Sequence, residues 1–138
     1  GYRRALREAG IPIDEDLIYY GDYDTDSGFR ACEQFMRLKQ RPDAIFSISD
    51  TIAIGAMTYA IRNGISVGKD VLFFGFDNIA YSHMFIPRLS TVEQPCYMQG
   101  KTVIERLISN MKAEEPDMGL YKLPHSLILR ESTGDSTY

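Results

Sequence analysis

The chain has 138 residues, of which 44% are hydrophobic and 25% are charged, and its formal net charge at pH 7 is −4. This composition is typical of one soluble globular domain. The negative charge argues against a nucleic-acid surface on this piece, because phosphate binding requires clustered Lys and Arg. The sequence shows neither a membrane-spanning apolar run nor an export leader.

Helical stripes and short apolar runs alternate along the first half of the chain. Helices are predicted over 2–9, 29–39 and 51–63, and strands over 17–20, 44–48 and 71–76. Strands separated by crossover helices predict an α/β fold with a three-layer architecture, a parallel sheet with helices on both faces. The apolar run from Val71 to Phe76 is expected to be buried on both faces.

The second half is less regular. A short helix is predicted near 81–85, an extended segment over 89–92, an amphipathic helix over about 97–112 and a closing strand over 126–130. Residues 132–138 are small and polar, so we predict a disordered tail there. Cys32 and Cys96 lack metal-ligand spacing, which predicts two buried, reduced thiols and a cytoplasmic location.

Polar residues follow three of the predicted strands. Tyr23 lies in the loop after the strand at 17–20, Ser49 and Asp50 follow the next strand, and Asp77 follows Phe76. Parallel strands place these loops on one edge of the sheet, where open α/β sheets bind ligands. An aromatic ring, a hydroxyl and carboxylates at this edge suit a small polyhydroxylated ligand. The alternative is that Asp50 caps a helix and Asp77 forms a turn, and for Asp50 alone we favour the cap.

Two other classes of site are weighed and set aside. Asp22, Asp24 and Asp26, with Glu33 further on, imitate a calcium loop, but Ser27 stands where that loop needs glycine. We therefore predict no metal site and expect Asp26 or Ser27 to cap the following helix. Catalytic and phosphate-binding motifs are missing as well. The sequence thus predicts neither an enzyme nor a cofactor.

A series of short motifs runs in order along the chain. They are Arg41-Pro42-Asp43-Ala44-Ile45-Phe46, Ser49-Asp50 with Ala53-Ile54-Gly55-Ala56-Met57, Gly64-Ile65, Asp70-Val71, Gly75-Phe76-Asp77-Asn78-Ile79, Pro87 with Leu89-Ser90-Thr91-Val92, Gln94-Pro95, and Arg130 with Ser132-Thr133. Together they resemble the effector-binding half of the LacI family of bacterial transcription repressors.

The resemblance implies the fold of the type I periplasmic binding proteins, two α/β subdomains hinged around a ligand. Residues 1–131 would be the C-terminal part of the effector-binding domain. In that scheme 1–92 and 124–131 lie in the C-terminal subdomain, and 96–118 belong to the N-terminal subdomain. The resemblance also implies that the first strand of this subdomain and a DNA-binding helix-turn-helix precede Gly1.

The resemblance also assigns site residues. Asp77 matches the ligand-binding aspartate of the family, Ser49 falls where an asparagine often binds a sugar hydroxyl, and Tyr23 falls where an aromatic ring can stack on the ligand. Cys96 occupies a position where some members carry an aromatic contact. Ser49 and Cys96 depart from the pattern, so the identity of the sugar stays open, with a purine or another effector as an alternative.

The helix at 51–63 is apolar almost all round, which predicts a second covering surface besides the sheet. The family places this helix and the segment near Met84 at a homodimer interface. We therefore predict a twofold contact formed by Ile54, Met57, Met84 and Phe85. The sequence as a whole predicts the sugar-sensing domain of a cytoplasmic regulator, with the solute-binding protein of a sugar ABC transporter as the alternative.

Overall fold

The computed structural model describes residues 1–113 and 117–134 of the chain. The helices are α1 (Tyr2–Glu8), α2 (Thr25–Met36), α3 (Asp50–Arg62), α4 (Ala80–Met84) and α5 (Cys96–Lys112). The strands are β1 (Ala44–Phe46), β2 (Leu72–Asp77), β3 (Ser90–Glu93) and β4 (Ser126–Ile128). Single 3-10 turns occupy Glu15–Leu17 and Glu131–Thr133.

The sheet has the order β1-β2-β3-β4. The pairs β1–β2 and β2–β3 are parallel, as predicted, whereas β4 runs antiparallel to β3. The α/β fold class is therefore confirmed, with one antiparallel strand at the edge of the sheet. Parallel pairing sets the carboxyl ends of β1, β2 and β3 along one edge.

The core lies on one face of the sheet. Val71 and Phe73 point into it and are 5% and 1% exposed, whereas Leu72 and Phe74 on the opposite face are only half-buried. The ring of Phe74 stacks on that of Phe46, which is 51% exposed. The expectation that this strand is buried on both faces is therefore wrong, because α2 and α3 both belong to the core on the first face.

Two glycines bring α2 and α3 into backbone contact. A Cβ atom at Gly28 would overlap the carbonyl oxygen of Ile52, and one at Gly55 would overlap that of Thr25. This close approach gives α3 its second covering surface inside the chain, so a partner subunit is not required to supply one. Met57 is 0% exposed and lies in the core, which rules it out as a dimer contact.

The predicted strand at 17–20 is not formed. Residues Glu15–Leu17 make a 3-10 turn, and no strand is assigned to 18–20. A cavity of about 570 Å³ separates residues 17–22 from β1 and the following residues as far as Ile48. A strand needs a paired neighbour, and no strand within 1–113 or 117–134 lies in this cavity to supply one.

The first residues of the predicted tail are ordered. Ser132 is 0% exposed, and its hydroxyl donates to the carbonyl oxygen of Phe73 at 2.7 Å and accepts the N–H of Ser90 at 2.8 Å. The prediction of disorder is therefore wrong for Ser132. The rest of that predicted tail, residues 135–138, lies outside the described residues, as do residues 114–116 of the predicted 96–118 segment.

Helix α5 differs from α2 and α3 because none of its residues is buried. Its apolar side chains are largely exposed to solvent; they include Val103 at 62%, Ile104 at 54%, Leu107 at 55% and Met111 at 78%. Of the helices that the structure describes, none combines the length and apolarity that a membrane crossing needs.

Candidate functional site

The carboxyl edge of the sheet presents a carboxylate and a carboxamide side by side. Asp77 ends β2, and its Oδ1 atom accepts a hydrogen bond of 2.6 Å from Nε2 of Gln94, just beyond β3. Gln99 in turn donates to Oε1 of Gln94 at 3.2 Å. In the described part of the chain, the Oδ2 atom of Asp77 has no hydrogen-bond partner. It can therefore accept from a ligand hydroxyl.

Gln94 was not among the predicted site residues. Its place one residue beyond β3, on the edge that holds Asp77, was the signal that could have identified it. The three loops considered from the sequence did not include the one that follows β3.

The turn after β2 has an unusual backbone. Asp77 and Asn78 adopt φ angles of 117° and 55°, which L residues other than glycine rarely do. The Asn78 side chain is held at both ends: Oδ1 accepts from Arg130 at 2.7 Å, and Nδ2 donates to Glu93 at 2.9 Å. Burial lowers the pKa of the Arg130 guanidinium below its ordinary value. These contacts fix the turn that carries Asp77.

Asp50 is a structural carboxylate. It is 0% exposed, and its oxygens accept from the Ile79 N–H at 2.9 Å, the Ser82 hydroxyl at 2.5 Å and the Thr91 hydroxyl at 2.5 Å. A Cβ atom at Gly75 would collide with Oδ1, so glycine there leaves room for this carboxylate. The prediction of Asp50 as an effector contact is contradicted, because every route to its oxygens is filled by protein donors.

Ser49, and not Asp50, caps α3. Its Oγ atom accepts the Ile52 N–H at 3.3 Å, and Ser49 is 7% exposed. The hydroxyl keeps its own proton for donation, so a ligand contact at Ser49 stays a prediction. Asp50 is the first residue of the helix, and its carboxylate points to α4 and β3 instead of the helix terminus.

Tyr23 lies on the loop before α2 and is 75% exposed. The helix itself is capped by Asp24, whose carboxylate accepts the Ser27 N–H at 2.6 Å; neither Asp26 nor Ser27 is the cap. No ring contact or hydrogen bond between Tyr23 and Asp77 occurs in the described residues. Stacking on a ligand therefore stays a prediction for Tyr23. Within 1–113 and 117–134, no group of His, Cys, Asp and Glu is arranged to hold a metal ion.

The two cysteines differ in environment. Cys32 is 0% exposed, and burial raises its pKa to about 12. Cys96 is exposed at the start of α5, so the expectation of two buried thiols holds only for Cys32. With Gln94, Cys96 borders an open cavity of about 380 Å³ that residues 124–126 also line. A ligand contact at Cys96 remains a prediction.

The remaining predicted dimer residues lie on the surface or at its margin. Met84 is 64% exposed, and its neighbours Tyr81 and Ile86 are 68% and 84% exposed. Ile54 and Phe85 are half-buried and pack against the core. An apolar patch around α4 is therefore available to a partner, although α3 contributes less to it than predicted.

Residues 1–133 match the family model of the periplasmic binding protein-like domain. The chain is 38% identical over 133 residues to catabolite control protein A of Priestia megaterium and 34% identical over 132 residues to the HTH-type transcriptional repressor PurR of Vibrio parahaemolyticus. Each alignment covers 96% of the chain and 40% of the relative. The chain thus spans about two fifths of the length of these curated relatives.

Solved structures of transcriptional regulators also resemble this chain. A putative LacI transcriptional regulator from Bacillus cereus subsp. cytotoxis superposes with a TM-score of 0.89 at 32% identity, over 96% of the chain and 47% of the regulator. The transcriptional regulator CelR in complex with cellobiose superposes with a TM-score of 0.85 at 31% identity, over 95% of the chain and 40% of CelR. The LacI-family resemblance is therefore confirmed.

Proposed function

Because the chain belongs to the periplasmic binding protein-like domain family, we propose that it forms part of the effector-binding domain of a LacI-type transcriptional regulator. In this proposal a small effector, a sugar, binds in a cleft against the Asp77 edge of the sheet and controls operator binding by the whole protein. DNA contact belongs to a helix-turn-helix that these residues do not contain. The protein acts in the cytoplasm and catalyses no reaction.

The observation that carries the proposal is the Asp77–Gln94 pair. Sugar hydroxyls both donate and accept hydrogen bonds, and a half-exposed carboxylate beside a carboxamide offers acceptors and donors within one patch. Oδ2 of Asp77 has no protein donor among the described residues, so a ligand does not need to displace one. The relatives support a regulator, and they give no support to the alternative of a transporter's solute-binding protein.

The exposed apolar face of α5 supports the proposed subdomain boundary. Residues 96–118 would pack on an N-terminal subdomain, and 1–92 with 124–131 would form the C-terminal subdomain. Gln94 lies between the two assignments and Cys96 begins the second, and both border the cavity that residues 124–126 also line. A ligand bound at Asp77 would therefore sit where movement of α5 can change the cleft.

The first test is effector binding by the protein expressed from its complete reading frame. A thermal-shift screen would compare cellobiose and simple monosaccharides with purine bases, followed by calorimetry on each compound that raises the melting temperature. Asp77→Asn keeps the shape of the side chain and removes its charge. We expect it to weaken sugar binding by about 2 kcal/mol, the range for hydrogen bonds to charged groups.

Asp43→Asn is the matched control, because Asp43 is exposed at the opposite end of β1 and meets no ligand in this proposal. Its affinity should equal that of the wild type. Unchanged affinity in Asp77→Asn would refute the Asp77 contact, and a response to purines alone would replace the sugar with a purine effector.

Tyr23 is proposed to stack on the ligand through its ring. Tyr23→Phe should then retain most of the affinity, whereas Tyr23→Ala should lose about 1 kcal/mol, the magnitude of an aromatic contact. Equal losses in calorimetry for both variants would assign the contribution to the hydroxyl instead.

We also propose that the protein is a homodimer joined through α4, with Met84 central and Phe85 and Ile54 at the margin. A contact of this kind should bury at least about 1,000 Å² in total. Met84→Asp should yield monomers in light scattering with an unchanged circular dichroism spectrum. Met118→Asp is the control, since Met118 is 87% exposed and outside this patch; a dimeric Met84→Asp variant would place the interface elsewhere.

A further inference from the structure

The turn formed by Asp77 and Asn78 is costly to maintain. Two successive residues other than glycine have positive φ angles, 117° and 55°. Conformations of this kind persist where the surrounding structure imposes them. The contacts that impose this conformation therefore also determine the direction of the Asp77 carboxylate.

Thr91 supplies the backbone contact. Its Oγ1 atom accepts the Asn78 N–H at 3.3 Å and donates to Oδ1 of Asp50 at 2.5 Å. A hydroxyl has one proton. Because that proton is committed to Asp50, a lone pair of the hydroxyl is left for the Asn78 N–H. The direction of both hydrogen bonds thus follows from the buried carboxylate, and Thr91 is itself 0% exposed.

Asp50 is fixed in turn by donors from the following segment. Its Oδ2 atom accepts from the Ile79 N–H at 2.9 Å and from the Ser82 hydroxyl at 2.5 Å. The backbone at Asn78 is therefore held through Thr91, and the backbone at Ile79 is held directly by the same Asp50 carboxylate. No ligand could reach this carboxylate, since it is fully buried.

We propose that Thr91, oriented by Asp50, is a positioning residue for effector binding. It holds the backbone of Asn78 so that the Asp77 carboxylate faces the cleft, without touching the effector itself. The inference rests on the proposed role of Asp77, and it adds a buried residue that the effector does not touch.

Two hydroxyls donate to Asp50, and they provide a matched pair of variants. Thr91→Val replaces the hydroxyl with a methyl group and removes the contact to Asn78. Ser82→Ala removes an equivalent donor to the same carboxylate but leaves the Asn78 N–H bonded. Thr91→Ser restores the hydroxyl, and Thr91→Ala serves as a second deletion should the valine variant fail to fold.

The readouts are residue-resolved hydrogen exchange without ligand and calorimetric titration with cellobiose, both on the protein from its complete reading frame. We expect exchange of the Asn78 amide to be about tenfold faster in Thr91→Val, as for a lost hydrogen bond of ordinary strength. It should stay at the wild-type rate in Thr91→Ser and Ser82→Ala. Cellobiose affinity should fall about tenfold in Thr91→Val and not in Ser82→Ala. The melting temperature should fall in both variants, because each removes a hydrogen bond to Asp50.

Unchanged exchange at Asn78 in Thr91→Val, or an equal loss of cellobiose affinity in Ser82→Ala, would overturn the inference and leave Thr91 a purely structural residue. Failure of the proposed function has a different signature. In that case Asp77→Asn binds cellobiose like the wild type, or the wild type does not bind it, while the exchange rates still decide whether Thr91 holds the turn.

Discussion

Helices α3 and α5 both carry apolar faces, α3 almost all round and α5 as one stripe, and their surroundings are opposite. In α3 the residues Ala53, Ala56, Met57 and Ala60 are at most 1% exposed, whereas α5 has no buried residue. An apolar stripe shows that a helix face requires cover. The apolar stripe does not reveal whether the cover comes from the same stretch of chain, as α2 covers α3, or from elsewhere.

The largest expected difference in stability is between alanine substitutions of two methionines, one in α3 and one in α5. Met57→Ala should lower the free energy of unfolding of the 138-residue chain by about 3 kcal/mol, because truncation of a buried methionine leaves a cavity. Met111→Ala should change it by less than about 0.5 kcal/mol, as is usual for surface positions. Urea unfolding followed by circular dichroism measures both.

The same two substitutions test whether the α5 face is covered in the longer protein. If Met111→Ala in the complete reading frame costs as much as Met57→Ala, the α5 face is covered there, as the proposed subdomain boundary requires. Equal small losses of stability for Met111→Ala in both contexts would show that this face stays open, and would argue against that boundary.

Two helical glycines should give effects of opposite sign. Gly55→Ala should cost about 2 kcal/mol, since the new methyl group meets the Thr25 backbone and α2 must move away. At Gly100 in α5 a Cβ atom meets nothing within 4 Å. Gly100→Ala should therefore raise helicity and add up to about 1 kcal/mol of stability. Thermal unfolding of both variants measures the difference, and a stable Gly55→Ala would disprove the backbone contact.

Ion pairs should give the smallest contrast. The hydrogen bonds and charge of Arg88 lower the pKa of Glu131 from 4.5 to about 2. Glu131→Gln should cost about 1 kcal/mol near neutral pH, the upper range for partly exposed pairs. Because the pKa is lowered in the folded state, this stabilisation is complete above pH 4.5, declines as the pH falls, and is gone below about 2.

Glu105→Gln is the control in α5, where the pair with Lys101 spans 3.8 Å between exposed side chains. We expect almost no change in stability at any pH for this variant. Urea titrations of both variants across the acid range provide the measurement. A Glu131→Gln variant that keeps its deficit at pH 2 would show that packing, and not charge, accounts for the loss.

Much of the fold could be predicted from local pattern. The β1 and β2 strands are short apolar runs, and each of the three long helices begins or ends near a recognisable polar, glycine or proline residue. The failures depend on neighbours that pattern does not reveal. Residues 17–20 have the composition of a strand, but no strand pairs with them in the described chain. The cover of α3 by α2 depends on Gly28 and Gly55, which from sequence alone are merely poor helix formers.

The candidate site was predictable in its location more than in its chemistry. The sequence placed Asp77 at the carboxyl edge of the sheet, because parallel strands end at the same edge. Asp50 could not be separated from Asp77 in this way. Both are acidic residues near strand ends, and only the three-dimensional positions of Ile79, Ser82 and Thr91 show that one carboxylate is enclosed.

The contrast between the two thiols has a practical consequence. The thiolate is the form that reacts with alkylating dyes. Cys32 is enclosed and has a pKa of about 12, whereas Cys96 is open to solvent next to Gln94. A maleimide fluorophore should therefore attach to Cys96 alone within this chain. The label would stand next to Gln94, so its emission should change if the proposed effector binds at Asp77, and Cys96 would then be the attachment point of an optical biosensor.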